Sequence, residues 1–278
     1  VTFSNNLIYE GLSHSVHEKG EHSKGSLIHD NATGILIHRN VYISNRERNA
    51  LFKGGAQGAM VNNLIFNPGR RAAHYNLLAN EWEAKPYQIG RLSLVGNVLR
   101  YGPDTEPGVA FFTLRGAGDV QLFMNDNLAT DRNGTPVAAT ADHTAGKARM
   151  LALQQADLPA QLKVMDAAGV EAELVRHAGA RPWDRDALDA RVLADMQAGR
   201  GKIIDSEAQN PLGYPAASGP SPGITPARDA KPPEKLVEVK LPEPTPEQLE
   251  ASLAKRAPGR PKLGATKEIT CCARPFWK

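Results

Sequence analysis

The feature that most constrains this chain is a cassette that recurs through its first 130 residues: a short alternating apolar run, an asparagine, then a second short apolar run. The copies are VTFSNNLIYEG (Val1 to Gly11), ILIHRNVYISN (Ile35 to Asn45), AMVNNLIFNPG (Ala59 to Gly69), LSLVGNVLRYG (Leu92 to Gly102) and VQLFMNDNLA (Val120 to Ala129). Their central asparagines are Asn6, Asn40, Asn63, Asn97 and Asn125, so the repeat is irregular, with steps between 23 and 34 residues. Strands this short do not make a stable sheet as isolated hairpins, and tight-turn signals between them are missing. Stacked in parallel, the same strands bury one continuous apolar face and set each asparagine above the last, where its amide bonds to the neighbouring coil. The expected fold is therefore all-β, a right-handed parallel β-helix. A sandwich of short antiparallel strands is the alternative.

Three regions follow from this reading. Residues 1–130 form the β-helix coils. Residues 131–209 change in character and read as a helical capping extension. The segment from Ala145 to Gln155 is alanine-rich, Pro159 to Ala168 suggests a short helix, and Asp184 to Gln197 places Leu188, Val192, Leu193 and Met196 on one face, stopped by Gly199. These helices are expected to close an open end of the solenoid, where core and strand edge would otherwise be exposed. Residues 210–278 are proline-rich and read as an extended tail, with a short helix at Thr245 to Lys255. The chain opens directly on a strand without an initiator methionine, as expected of the C-terminal portion of a longer protein.

The charge is concentrated rather than large. The whole chain of 278 residues carries a formal net charge of +3, with no basic run interleaved with aromatics, which argues against a nucleic-acid partner. No stretch reaches the length of a membrane span, and the expected state is a monomer. The two cysteines, Cys271 and Cys272, are adjacent in the tail and cannot staple the body. Between Asn40 and Gly55, however, a strand read as Ile35 to Ile43 runs into a turn holding Arg46, Arg48 and Lys53, closed by Gly54 and Gly55. Such a cluster needs an anionic partner or open solvent. Two long polar segments accompany it. Glu10 to Gly25 holds His14, His17 and His22, and Asn67 to Ile89 holds Arg70, Arg71, His74, Trp82 and Tyr87; loops of that length on a rigid scaffold tend to carry function. The three-residue spacing of His14 and His17 lacks a matching acid pair, so metal binding there ranks below solvation or sugar stacking.

The stretch Arg48, Asn49, Ala50, Leu51, Phe52, Lys53, Gly54 resembles the Arg-x-Pro-x-x-Arg-Gly motif of the pectate lyases of polysaccharide lyase family 1. HSKGSLIHD (His22 to Asp30) resembles the lysine-bearing segment of that family, with Lys24 at the lysine, although Lys19 repeats the local pattern. VNNLIFNPG is similar to the coil that follows, and the resemblance covers about residues 1 to 130. Two positions depart from the motif: Ala50 stands where the family has proline, and Lys53 where it has arginine, which keeps the charge but loses the bidentate fork.

The resemblance implies a secreted or periplasmic lyase that cleaves pectate or a related polyuronate by β-elimination. Arg48 would remove the C5 proton, and Lys24 and Lys53 would hold the substrate carboxylate. Calcium would bridge that carboxylate to acidic ligands placed before Val1, with no metal ligand assigned within the chain. Arg70 and Arg71, one coil later, are candidate carboxylate contacts in neighbouring subsites, and Arg46 reads as surface. The alternative function is a non-catalytic carbohydrate-binding or adhesive β-helix. Hydrolysis ranks last, because paired acids on adjacent coils are not evident.

Overall fold

The computed structural model describes residues 1–14, 18 and 20–210. The cysteine pair, the proline-rich tail and the helix expected at Thr245 to Lys255 fall outside them, as does His17.

Each coil consists of three short strands. The first coil holds β1 (Thr2–Ser4), β2 (Leu7–Tyr9) and β3 (Leu27–Ile28). The second holds β4 (Ile35–His38), β5 (Val41–Ile43) and β6 (Leu51–Lys53), and the third holds β7 (Gln57–Val61), β8 (Leu64–Phe66) and β9 (Ala73–Leu77). A four-residue helix, α1 (Ala79–Trp82), follows. The fourth coil holds β10 (Gly90–Val95), β11 (Val98–Arg100) and β12 (Phe112–Gly116), the fifth β13 (Val120–Asn125), β14 (Leu128–Thr130) and β15 (Thr140–Asp142), and β16 (Met150–Ala152) begins a sixth. Strands pair only with their counterparts in adjacent coils, all in parallel, in three sheets: β1-β4-β7-β10-β13-β16, β2-β5-β8-β11-β14 and β3-β6-β9-β12-β15. This is the right-handed parallel β-helix expected from the cassettes.

The inward faces form the core. Ile37 and Met60 come from the first sheet, Tyr42, Ile65 and Leu99 from the second, and Phe52, Tyr75 and Leu114 from the third, in one continuous cluster. What separates the first two sheets is a two-residue corner rather than the unbroken strand expected over Ile35 to Ile43. The corner residue ahead of each asparagine has positive φ: Asn5, Arg39, Asn62, Gly96 and Asp126. The asparagine then faces inward and bonds to its neighbour one coil on. Asn6 Nδ2 donates to Asn40 Oδ1 at 2.8 Å, Asn40 Nδ2 to Asn63 at 3.1 Å, Asn63 Nδ2 to Asn97 at 2.9 Å, and Asn97 Nδ2 to Asn127 at 2.9 Å. The last rung is thus Asn127 and not Asn125, which ends strand β13 beside Val95. Every rung is followed by Leu or Val, and Asn127 alone in its copy has that neighbour.

Asn63 Oδ1 accepts from the Asn40 amide N–H at 2.9 Å and from its side chain, while Asn63 Nδ2 also donates to the Ile37 carbonyl at 2.9 Å. Asn63→Leu would leave those buried partners bare, each costing roughly 1–3 kcal/mol. The expected outcome is a fall in unfolding free energy of several kcal/mol in urea titration, larger than for an exposed asparagine such as Asn133.

The helical segments differ from expectation in place and in role. Ala145 to Gln155 contains strand β16, because its backbone continues the first sheet beside β13. Pro159 to Ala168 is not helical as a unit; α2 runs Ala167–His177 and α3 runs Ala187–Gln197. Asp186 caps α3 by accepting from the Asp189 N–H. Neither helix closes an end. Val170, Leu174, Val192, Leu193 and Met196 pack on Val41, Ile43, Leu64, Phe66 and Val98, the outward residues of the second sheet. Both faces of that sheet are therefore buried, which explains its unbroken apolar runs. Ion pairs clamp the helices down: Arg191 grips Glu10 with two bonds of 2.7 Å, Tyr9 donates to Asp189 at 2.7 Å, and Arg39 and Arg100 pair with Glu173 and Glu171. No helix among the described residues is long and apolar enough to cross a membrane.

Candidate active site

The loop from the second to the third sheet carries one chemically distinct group in each of three successive coils. Lys24, Glu47 and Arg70 stack there, each 23 residues from the next, the step that also carries Asn40 onto Asn63. Lys24 and Glu47 are joined by a parallel bridge in the backbone as well as by their side chains. Glu47 is the centre. Its side chain is 8% exposed and takes Lys24 Nζ on Oε1, while Oε2 accepts from Arg70 Nε at 3.0 Å and Arg71 Nη2 at 2.8 Å. Burial works to raise the Glu47 carboxyl, but the hydrogen bonds from Arg70 and Lys24 and the charge of Arg71 overcome it and hold the group far below the usual carboxylate range. For Lys24 burial wins instead: its ammonium lies below the ordinary lysine value, because Glu47 only partly offsets desolvation and Arg70 and Arg48 add repulsion. Arg70 is raised, chiefly by its bond to Glu47.

Arg48 follows Glu47 in positive-φ backbone, φ 66°. Its guanidinium has no hydrogen bond or ion pair among the described residues, and lies near enough to Lys24 to repel the ammonium. The following Asn49–Ala50 peptide is cis. Below it, the backbone of the first coil passes close: the Ser26 N–H donates to the Arg48 carbonyl at 2.7 Å, and a Cβ on Gly25 would stand 2.5 Å from that oxygen. A side chain at residue 25 would thus displace the turn that presents Arg48.

The floor is formed by the third sheet. His74, on β9 between Leu51 and Thr113 in register, is completely buried and close enough to Glu47, Arg71 and Arg115 to feel their charge. The segment Asn67 to Ile89 is therefore not one loop. Ala73, Tyr75 and Leu77 alternate inward as a strand, and His74 is on its outer face. Burial, aided by Arg71 and Arg115, lowers the His74 imidazole to about 3. The folded state thus refuses a proton that the unfolded chain accepts below about pH 6.5, so stability falls as pH drops from there toward 3, by about 1.4 kcal/mol per pH unit. His38 is also lowered, by burial and by the charge of Arg39, and adds to the decline in the same sense. His74→Gln is expected to flatten, not abolish, the decline between about pH 6.5 and 4.5, read by denaturant unfolding across that range.

Of the residues singled out from sequence, Arg48, Lys24, Arg70 and Arg71 come together around Glu47. Lys53 does not join them. Its side chain is buried at the end of β6 and pairs with Asp30 Oδ2 at 3.0 Å and with Glu81, while Trp82 Nε1 donates to Asp30 at 2.8 Å. An ammonium already held by two carboxylates is not placed to receive a third. Gly54 and Gly55 turn the chain out of the third sheet, with the Gly55 N–H on the Tyr75 hydroxyl at 2.8 Å. Arg46 spans Glu21 at 2.9 Å and Glu106 at 3.4 Å, a rim contact. His14 pairs with Asp205 at 2.8 Å. Sequence reading passed over Glu47 and Arg115 and placed His74 in a loop; the shared 23-residue spacing was the signal that would have joined Lys24, Glu47 and Arg70.

The acidic calcium ligands that the resemblance implies are placed before Val1; among the described residues no three His, Cys, Asp or Glu side chains converge as a metal would require.

No family model matches the chain. It is similar to curated fungal proteins. A probable pectate lyase C of Neosartorya fischeri is 27% identical over 236 residues, 82% of this chain and 50% of its own length. That of Aspergillus flavus is 29% identical over 213 residues, 75% of this chain and 46% of its own. That of Aspergillus fumigatus is 27% identical over 235 residues, 82% and 50%. The chain spans about half the length of the curated relatives it matches. In sequence the chain is similar to these probable pectate lyases, and its three parallel sheets make a right-handed parallel β-helix.

Proposed function

We propose that this chain carries the proton-abstracting half of a polysaccharide lyase site that cleaves pectate or a related polyuronate by β-elimination. The observation that carries this reading is the side chain of Arg48, without a hydrogen bond or ion pair among the described residues and close to Lys24, next to the cluster in which Lys24, Arg70 and Arg71 meet Glu47 and Arg70 also lies 3.8 Å from Glu21. The C5 proton of a uronate is very weakly acidic, because removing it places a second negative charge next to an ionised carboxylate. A preorganised surplus of positive charge lowers that barrier. Arg70 and Arg71 each keep N–H donors not used on Glu47, enough to receive a uronate carboxylate, and Glu47 fixes their planes. Arg48, acting as a neutral guanidine, then takes the C5 proton and becomes the guanidinium; the C5–H electron pair forms the C4–C5 double bond, and the C4–O bond breaks with its pair leaving on the bridging oxygen, which solvent water protonates. A secreted setting fits a polymer that cannot enter a cell.

The test is incubation of the protein with polygalacturonate, with added calcium and with chelator, following the ultraviolet absorbance of the unsaturated product. Growth of that absorbance supports elimination. A second reading, a binding β-helix without catalysis, is favoured by the occupation of Lys24, Arg70, Arg71 and Lys53 by internal carboxylates. It would be established by polymer binding with no unsaturated product under either condition.

A further inference from the structure

On the side of the solenoid where the first sheet turns into the second, a shallow concavity is lined by Asn5, His38, Arg39, Glu173, His177 and Trp183, among others. Trp183 is 66% exposed, and what makes that notable is how firmly its loop is held. Pro182 fixes the backbone ahead of it. The Asp184 N–H closes a turn on the Arg181 carbonyl at 2.9 Å, and the same two residues pair through their side chains at 2.8 Å. Arg185 Nη2 donates to the Ala178 carbonyl at 2.9 Å, and the Gly179 N–H docks on the Asn5 carbonyl at 2.7 Å. An indole presented on a built turn and two-thirds exposed is a flat apolar platform that loses little freedom when something stacks on it.

The polar lining matches one kind of occupant. His38 lines the concavity, and among the described residues its Nε2 has no hydrogen-bond partner. Arg39 and Glu173 neutralise each other, with His177 Nε2 a further 3.7 Å from Glu173. The surface therefore offers hydrogen-bonding groups of little net charge around one aromatic face, in contrast to the cationic groove around Arg48. A pyranose ring has this complement, C–H bonds on one face and hydroxyls at its edge. We propose that the Trp183 concavity is a second, charge-independent saccharide-binding site, which holds one ring of the polymer away from the groove. That the sugar belongs to the substrate polymer rests on the function proposed above; that the site takes a pyranose does not.

The experiment is native affinity electrophoresis of the full chain in gels containing polygalacturonate or highly methyl-esterified pectin, at low and high salt. The proteins compared are the parent, Trp183→Ala, His38→Ala and Arg48→Ala. Retention at high salt, where the cationic groove is screened, is expected to fall several-fold in Trp183→Ala and His38→Ala and to be unchanged in Arg48→Ala. Because Trp183 is exposed, its thermal midpoint and its turnover on short oligouronates should match the parent. High-salt retention equal in Trp183→Ala and the parent, or absent from both, would overturn the site. Trp183-dependent retention in a protein that forms no unsaturated product would uphold this site while defeating the lyase reading. Elimination activity with no Trp183 dependence would do the reverse.

Discussion

Arg48→Ala is expected to lower turnover on polygalacturonate by about 10²–10⁴-fold, the range for loss of a positioned general base, while leaving the thermal midpoint within the scatter of the parent. The two halves of the expectation have separate physical origins. The Arg48 guanidinium makes no hydrogen bond or ion pair among the described residues, so no buried partner is abandoned when it is removed. What holds the turn is its backbone, through the Ser26 N–H on the Arg48 carbonyl, and that bond survives truncation. Arg48→Lys separates the two contributions of this side chain. It restores the positive charge but not the planar fork or its reach, so recovery of most of the turnover would assign Arg48 to charge neutralisation and not to proton removal. Steady-state kinetics of the three proteins, with thermal melts alongside, check both points. Activity equal to the parent in Arg48→Ala would remove this residue from the reaction.

Glu47→Gln is expected to have the largest effect on stability, a loss of about 3–5 kcal/mol, the range measured when one partner of a buried ion pair is removed. Three cations converge on this carboxylate, and glutamine leaves them to repel one another with little water to screen them. The pH dependence gives a second reading of the same interaction. A carboxyl whose value is depressed on folding stabilises the protein fully above its unfolded value, about 4.3, and that stability drains away as pH falls below it toward the folded value. The parent should therefore lose stability steeply below about pH 4, and Glu47→Gln should start lower and lose less there, because it no longer binds that proton differently in the two states. Denaturant titrations at neutral and acid pH measure both. Turnover should fall as well, since Arg70 and Arg71 lose the group that sets their planes. An acid limb as steep in Glu47→Gln as in the parent would mean that other carboxylates, such as Asp30, also depressed, dominate acid unfolding.

The cassette established the architecture because it states both parts of a coil's physics: apolar alternation sets the inward face, and asparagine supplies donors and an acceptor that only a stacked neighbour can satisfy. Arg48 and its company of cations were also legible, since their spacing along the chain is local. The third sheet was not legible in the same way. LFK and AHYNL are short and lie among charged residues, so Lys53 read as a turn cation and His74 as part of a loop, and both were located only when parallel pairing set β6 against β9. Alanine content suggested a helix over Ala145 to Gln155, but propensity yielded to the unpaired edge of β13, which β16 satisfies. Helix α3 was legible from its apolar face, whereas the helix expected over Pro159 to Ala168 lies instead at Ala167–His177 as α2. Their seat on the second sheet was decided by which outward column, Val41, Leu64 and Val98, was apolar enough to need cover. Glu47 shows the same division at the site. Its position between two arginines gives no hint of its role, because its partners Lys24 and Arg70 are 23 residues away on either side. In a solenoid the loops vary in length from coil to coil, so contacts across coils follow from hydrogen-bonded register, which is a property of the stack and not of any one stretch of sequence.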